Sequence, residues 1–264
     1  MFLSLATLVR YRGLILSLVA RELKARYRGS VLGFFWSFIN PLLLLSIYTF
    51  VFTVILPNEN KVAQPYALFM FCGILPWNWF ASSLMEASNA LVSGGNLIKK
   101  VLFPAEILPL VNVLANMVHF FLGLSILAAF VIGYRHWPDA AGLIWFPVAV
   151  LVQLIFTMAL SLFFAALTVH FRDIRDLLSN LLMFWFFATP IIYPWLDPNV
   201  IAYKRLFDWN PFTHLAVAYQ EILFFPGPVG HAKWLVALGI ASVGLFLAAY
   251  WFFDRLRDSF AEAV

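Results

Sequence analysis

The stretch ILPLVNVLANMVHFFLGLSILAAFVIGY, residues 107–134, contains no Asp, Glu, Lys or Arg. As a helix it would be about 42 Å long at about 1.5 Å per residue, whereas the hydrocarbon core of a bilayer is about 30 Å thick. This stretch therefore predicts a membrane-spanning helix.

Five further apolar runs are long enough to span a membrane. They are Val31–Pro57, Pro65–Met85, Ala140–Arg172 up to its last few residues, Leu177–Leu196 and Trp234–Phe253. Hydrophobic residues make up 63% of the chain and charged residues 11%, against about 45–50% and about 25% in ordinary soluble domains. The sequence therefore excludes a soluble globular domain and predicts an all-α integral membrane protein with six transmembrane helices.

The chain is predicted to form a single membrane domain over residues 1–264. Residues 1–30 would form an N-terminal segment, residues 31–253 the six spans, and residues 254–264 a short tail. The single cysteine, Cys72, excludes a disulfide framework and a multi-cysteine metal site. A formal net charge of +4 is too modest to indicate nucleic-acid binding.

The distribution of basic residues between the loops predicts the orientation. With six spans, twelve Lys and Arg residues fall on the side that holds both termini, and five fall on the other side. Basic residues are enriched on the cytoplasmic side of membrane proteins. We therefore expect both termini in the cytoplasm.

The N-terminal segment has the pattern of an amphipathic helix at the membrane interface. Its apolar stripe consists of Ile15, Val19, Leu23 and Tyr27, and its polar stripe consists of Ser17, Arg21, Lys24 and Arg28. Such a helix can serve only as an anchor, or it can also contact a cytoplasmic partner or a lipid phosphate.

The region between the fifth and sixth spans is rich in aromatic residues and prolines. Ten of the 29 residues from Phe184 to Phe212 are aromatic, and prolines at 190, 194, 198 and 211 interrupt helices. The next stretch, Trp209–Val229, is apolar but carries Glu221 and further prolines. These features predict a re-entrant external helical element that lines an outer vestibule, where aromatic faces suit sugar rings.

Sequence motifs of enzymes are absent. The chain has no G-x-x-x-x-G-K-S/T phosphate loop, no H-E-x-x-H and no G-x-S-x-G. Glu86 and Glu106 flank a predicted cytoplasmic loop and are expected at the interface. His119 is the one clear titratable residue well inside a span, and packing explains it better than proton transfer.

Two short cytoplasmic segments are candidate contacts for a partner. The first, Asn96–Phe103, follows a Gly-Gly break and ends before Pro104, so it predicts a helix of about two turns. A helix this short must dock on the bilayer or in a groove of a partner. The second segment, Val169–Leu177, is explained by capping and topology or by a partner contact. A catalytic pairing of its His170 with an aspartate is the weaker alternative.

The order of these features resembles the polysaccharide-export permeases of the type-2 ABC exporter family, which include O-antigen (Wzm-type) and teichoic-acid export subunits. Residues 21–56, RELKARYRGSVLGFFWSFINPLLLLSIYTFVFTVIL, resemble the N-terminal signature of the family. NLIKKVLFPAEILPL (96–110) resembles its coupling-helix region, HFRDIRDL (170–177) its second cytoplasmic loop, and ATPIIYP (188–194) the pattern before its external helices.

This resemblance implies a single transmembrane permease domain whose function is transport rather than catalysis. Two copies would pair with two copies of a separate ABC ATPase, which would bind ATP and Mg, so this chain itself would need no cofactor. The substrate would be an undecaprenyl-pyrophosphate-linked polysaccharide, moved outwards across the bacterial inner membrane. Membrane lipids would be further partners, and nucleic acid would not.

The resemblance also assigns roles to residues by position. Coupling to the ATPase would involve Asn96, Leu97, Ile98, Lys99, Lys100, Val101, Leu102, Phe103, His170, Arg172, Asp173, Arg175 and Asp176. Substrate uptake at the pyrophosphate would involve Arg21, Lys24, Arg26 and Arg28. The channel would be lined by aromatics from the set Phe184, Trp185, Phe187, Tyr193, Trp195 and Trp209.

Three alternatives remain open at this point. Within the family, the substrate can be teichoic acid, a smaller lipid or a drug. In a different class, the chain can be a membrane-embedded enzyme that acts on a lipid-linked substrate, which would need convergent acids, bases or metal ligands. It can also be a non-catalytic assembly scaffold.

Overall fold

A computed structural model describes residues 11–55, 63–95, 104–195 and 197–263, and these residues form helices, turns and loops without a strand. In chain order the helices are α1 (Arg12–Arg26), α2 (Trp36–Phe50), α3 (Tyr66–Ser93), α4 (Ile107–Tyr134), α5 (Ala140–Leu143), α6 (Phe146–His170), α7 (Ile174–Phe187), α8 (Pro198–Ile201), α9 (Lys204–Asp208), α10 (Pro211–Leu223) and α11 (Ala232–Ala263). A short 3-10 helix, Gly33–Phe35, precedes α2, and a π-helical turn, Val51–Ile55, continues it.

Four helical stretches in the described residues are long and apolar enough to cross a membrane. They are Tyr66–Ser93, Ile107–Tyr134, Ala140–His170 and Ala232–Arg257. Ile107–Tyr134 has the predicted bounds. The other three agree with predicted spans to within a few residues at their N-terminal ends. At their C-terminal ends, α3 and α11 run longer than predicted. The chain is therefore a multi-pass membrane protein, and the count of six spans stays a prediction.

The other two predicted spans are shorter helices. Helix α2 has 15 residues and contains Pro41. Helix α7 has 14 residues and ends at Phe187, so the predicted span Leu177–Leu196 is wrong in its bounds. Pro190 explains the early end, because a proline lacks the N–H group of a helical residue and restricts the residue before it. At about 1.5 Å per residue, α7 is about 21 Å long.

Helix α3 lies at the centre of the bundle. It packs against α2, α4, α6, α7 and α10, while α11 packs chiefly along α6. Trp77 and Phe80 of α3 meet Phe212 at ring-centroid distances of 4.9 and 4.7 Å. This aromatic cluster joins the centre of the bundle to α10.

Helix α10 is buried among the long helices, although its sequence is interrupted by prolines on both sides. Pro211 occupies its first turn, and the Asn210 side chain accepts a hydrogen bond from the Phe212 N–H at 3.0 Å. Gln220 donates to the Pro190 carbonyl at 2.9 Å. The turn after α7 and helix α10 are therefore held together against the bundle.

Helix α1 rests on α4. Its buried residues Ile15, Leu18 and Val19 form one cluster with Ile107, Val111 and Ala115. The structure thus buries Ile15 and Val19 of the predicted apolar stripe and adds Leu18, and it covers this stripe with protein. The end of the bundle that carries α1 is called the α1 end below.

Candidate translocation groove

A stripe of polar side chains runs along one face of the largely apolar helix α3. The stripe consists of Asn78, Ser82, Glu86, Asn89 and Ser93. Spacings of three and four residues place these side chains on one face of the helix. The stripe thus extends from the middle of the most buried candidate span to the α1 end.

Three neighbouring cavities lie along this stripe. The first, about 560 Å³, lies between α2, α3 and α4, and its polar lining includes Asn40, Asn78, Ser82 and His119. The second, about 500 Å³, lies between α2, α3 and α7 and shares Asn78 and Ser82 with the first. The third, about 450 Å³, lies at the α1 end and shares Glu86 with the second.

Polar groups inside a membrane domain are costly unless they face a partner or water. Here Asn40, Asn78 and Ser82 line the first and second cavities. Aromatic rings, including Trp36 and Trp77, line the same cavities. The first and second cavities together are called the groove below. The groove combines amide and hydroxyl groups with aromatic faces, a surface that suits a hydroxyl-rich solute such as a sugar.

A charged network lies where the three cavities meet. Arg26 of α1 pairs with Glu86 of α3 and donates to Asn116 Oδ1 of α4 at 2.9 Å. Asn116 donates to the same Glu86 oxygen, Oε2, at 2.6 Å. Glu86 is thus bonded inside the bundle rather than free at the interface, because α1 brings a cation to it.

Tyr27 adds a second connection between α1 and the groove. Its hydroxyl hydrogen bonds to the Ser37 hydroxyl, and it lies 3.3 Å from His119 Nε2. His119 was expected to be a packing residue. It lines the first cavity and lies against the end of α1. These contacts join α1 to the start of α2.

The four predicted uptake residues have two different environments. Arg26 is partly buried in the charged network, while Arg21, Lys24 and Arg28 are exposed. Arg21 also lines the cavity at the α1 end, together with Arg175. The cations available to an anion in solution are therefore the exposed ones, and Arg26 already has an anionic partner.

The first predicted coupling segment, Asn96–Phe103, lies outside the described residues. In the second, Arg172, Asp173, Arg175 and Asp176 are exposed at the α1 end. His170 contacts the Ser259 hydroxyl at 3.0 Å and the Ala166 carbonyl at 3.2 Å. The partners of His170 are thus on α6 and α11, which is not the arrangement that a His-Asp catalytic pair needs.

Glu106, which follows the first coupling segment, is buried at the start of α4. Its side chain is therefore covered by protein, and its position at the membrane interface stays a prediction. Within the described residues, no group of three or more His, Cys, Asp and Glu side chains could hold a metal ion.

The predicted channel aromatics also fall into two groups. Phe184, Phe187 and Trp209 are exposed, and 87% of the Trp209 surface is accessible. Trp195 is buried, and Trp185 and Tyr193 are half-buried; each makes ring contacts or hydrogen bonds. The Tyr193 hydroxyl donates to the Phe187 carbonyl at 2.8 Å.

Asn210 is the polar centre of the outer segment. Its Oδ1 accepts from Trp185 Nε1 at 2.7 Å, in addition to the α10 cap, and its amide donates to Ala188 O at 3.0 Å and Thr189 Oγ1 at 2.9 Å. One side chain thus joins the end of α7 to the start of α10.

Replacement of Asn210 is therefore expected to destabilise the protein. Asn210→Ala removes a helix cap and leaves the Trp185 N–H without its acceptor, at a cost of about 2–4 kcal/mol. Thermal unfolding of the purified protein measures this loss. Asn210→Asp keeps the acceptor for the Trp185 and Phe212 N–H groups but loses the donor to the Ala188 carbonyl, so it should also lose stability. Equal melting temperatures for wild type and Asn210→Ala would contradict this network.

Sequence reasoning missed the groove residues Asn40, Asn78, Ser82 and Asn116. A signal for them exists, because the polar residues of α3, and Asn112, Asn116 and His119 of α4, recur every three or four positions. The pairing of Arg26 with Glu86 has no such signal, since the two residues are 60 positions apart.

The chain is similar in sequence to a known family of membrane transporters. The sequence profile described as ABC-2 type transporter matches residues 13–224. The chain is 43% identical over 258 residues to a protein of Myxococcus xanthus named O-antigen export system permease protein RfbA, with 97% of each chain covered. Two proteins of Klebsiella pneumoniae with the same name are 32% and 30% identical over 250 residues, with 94% of each chain covered.

Proposed function

Since the chain belongs to the ABC-2 type transporter family, we propose that it forms the channel of an ATP-driven exporter of O-antigen-like polysaccharide. It is a multi-pass transport subunit and not an enzyme. It works with an ABC ATPase subunit, as permeases of this family do. The relatives named as O-antigen export permeases match nearly its whole length.

One structural feature supports the passage of a glycan through this chain. The polar stripe of α3 follows three neighbouring cavities over much of the length of a membrane-spanning helix. A glycan needs hydrogen-bonding groups in place of water while it crosses the hydrocarbon region. The amides and hydroxyls of the groove can supply them.

The substrate is proposed to carry an undecaprenyl-pyrophosphate end, taken up at the α1 end. Under this proposal the α1 end faces the cytoplasm, both termini are cytoplasmic, and the membrane is the bacterial inner membrane. The exposed Arg21, Lys24 and Arg28 would attract the pyrophosphate, because guanidinium groups pair with phosphate oxygens in a bidentate manner.

A second copy of the chain is proposed to complete the channel. The helices that flank the groove, α2 and α7, expose large apolar side chains, among them Ile47, Phe50, Met183 and Phe184. In a dimer these surfaces would close the open side of the groove. Two ATPase subunits would then bind at the α1 end and hold ATP and Mg, so that this chain needs no cofactor.

The contact with the ATPase is proposed to involve Asn96–Phe103 and the loop around His170–Asp176. The exposed charges of that loop support this assignment. The outer segment from Ala188 to Leu223 is proposed to be re-entrant, and the burial of α10 supports it.

Purification and reconstitution test the proposed function. The chain should co-purify with an ABC ATPase, and vesicles that contain the complex should move an undecaprenyl-linked polysaccharide in an ATP-dependent manner. Transport of only a short lipid or a drug would show that the substrate is not a polysaccharide. Chemical conversion of a lipid-linked substrate by the chain without the ATPase would show that the chain is an enzyme rather than a transport subunit.

The two groups of outer aromatics should respond differently to alanine. Trp209→Ala is expected to lower export about threefold or more, at unchanged abundance, because an exposed ring can contact the glycan at a typical stacking energy. Trp185→Ala should lower abundance, because the ring packs 5.3 Å from Phe80. Export divided by the amount of protein in the membrane separates the two effects; a loss of abundance in Trp209→Ala would contradict the distinction.

A further inference from the structure

The charged network at the α1 end lies on the boundary between separate cavities. Arg26 and Asn116 line the first cavity, which contains Asn78 and Ser82. Glu86 lines the second cavity and the cavity at the α1 end. A solute that moved from the α1 end into the groove would therefore pass this network.

Two of the three hydrogen bonds in the network end on the same acceptor atom. Glu86 Oε2 accepts from the Arg26 guanidinium and from the Asn116 amide. A phosphate oxygen has the same charge and accepts the same donors, so it can take the place of this carboxylate oxygen. Both side chains of the ion pair are partly accessible, with 21% of Arg26 and 36% of Glu86 exposed.

Charged side chains line the cavity at the α1 end, next to the Arg26–Glu86 pair. Glu22 lies 3.8 Å from the Arg26 Nε, and Arg21, Glu22, Glu86 and Arg175 line the adjoining cavity. Two guanidinium groups, those of Arg21 and Arg175, thus face two carboxylates in this cavity, while Arg26 lines the first cavity. A pyrophosphate in this cavity would meet the guanidinium groups of Arg21 and Arg175, with Glu86 as its competitor for Arg26.

We propose that the Arg26–Glu86 pair is an exchangeable barrier between the cavity at the α1 end and the groove, and that a phosphate of the lipid-linked substrate opens it by replacing Glu86 on Arg26. This inference rests on the proposed function, since it takes the substrate to carry a phosphate-linked lipid. Arg26 is then a substrate-binding residue, and Glu86 is a positioning residue that holds it between cycles.

If Glu86 and the phosphate compete for Arg26, removing the charge of Glu86 and removing the charge of Arg26 should change substrate affinity in opposite directions. Glu86→Gln removes the competing charge but keeps an oxygen that can accept from Arg26 and Asn116, so the substrate should bind more tightly. Arg26→Gln/Glu86→Gln removes the cation as well, while no unpaired charge is left in the bundle. This double variant should fold and should bind the substrate more weakly.

The test uses the permease–ATPase complex in lipid nanodiscs, titrated with undecaprenyl pyrophosphate, and measures the concentration for half-maximal stimulation of ATP hydrolysis. Glu86→Gln should lower this concentration about tenfold, and the double variant should raise it about tenfold, within the usual range of coupling between sites. Undecaprenol, which lacks the phosphates, should not stimulate the wild type. Arg12→Gln, an exposed cation on α1 outside the network, controls for the charge of the helix.

The outcomes separate the inference from the function on which it rests. If the wild-type complex exports the glycan but Glu86→Gln weakens the response and the double variant restores it, the pair has only a structural role and the exchange is wrong. A response to undecaprenol equal to that to the pyrophosphate would overturn the exchange as well. If the wild-type complex exports no lipid-linked glycan, the proposed function itself fails.

Discussion

Ser82→Trp is expected to lower polysaccharide export at least about tenfold while the protein stays folded and bound to its ATPase. Ser82 is exposed on the polar stripe of α3 and lines both the first and the second cavity. An indole at this position would fill part of the groove and replace a hydroxyl with apolar surface. Each 1.4 kcal/mol of added barrier lowers the rate about tenfold.

Export is measured as lipid-linked glycan moved per complex in reconstituted vesicles. Ser125→Trp is the matched control, because Ser125 is exposed on α4 and lines none of the three cavities described here. Ser82→Ala removes the hydroxyl without adding bulk and should have the smaller effect. Normal export by Ser82→Trp would place the translocation path elsewhere in the molecule.

Leu97→Asp together with Val101→Asp is expected to abolish export, while the ATPase continues to hydrolyse ATP. The two residues are four positions apart and form one apolar face if Asn96–Phe103 is helical. A two-turn helix gains its stability from docking, and two carboxylates on the docking face would oppose burial.

This double variant should insert in the membrane in normal amounts, because the segment is predicted to lie outside the spans. ATP hydrolysis and export are measured on the same vesicles, and export should fall at least tenfold relative to hydrolysis, roughly the effect of 1.4 kcal/mol. Leu97→Met with Val101→Ile keeps the apolar face and serves as the control. Export at the wild-type rate by the Asp variant would remove this segment from the coupling mechanism.

The long spans could be predicted because length and hydropathy alone determine them. Ile107–Tyr134 was delimited to the residue, since charged or polar residues flank an uninterrupted apolar run. The end of α7 at Phe187 was missed. Hydropathy continues past this point, and the helix ends because of Pro190, a local backbone effect that a hydropathy criterion does not weigh.

The candidate site was predictable only in part. The exposed cations of α1 followed from its amphipathic pattern, and the face that contacts α4 followed from the same pattern. The partial burial of Trp185 and the exposure of Trp209 did not follow, because both are aromatics in one aromatic-rich segment. What distinguishes them is Asn210, whose acceptor holds the Trp185 indole.

Long-range pairing is the part that sequence patterns leave open. Arg26 lies outside the polar stripe of α1, on the side of Ile15 and Val19, and it alone of the four predicted uptake residues pairs with Glu86. The contact depends on the crossing of α1 over α3 and α4, which the packing of Ile15, Leu18 and Val19 determines. Such a crossing is a tertiary property and leaves no periodic signal.

The central claim is that this chain exports a lipid-linked polysaccharide, and loss of its gene tests this claim most directly. In cells without a redundant exporter, surface polysaccharide and undecaprenyl-linked polysaccharide inside the cell would be measured before and after deletion and after complementation. We expect full-length glycan to accumulate on its lipid carrier inside and to disappear from the surface. Normal surface glycan with no retained intermediate would contradict the account.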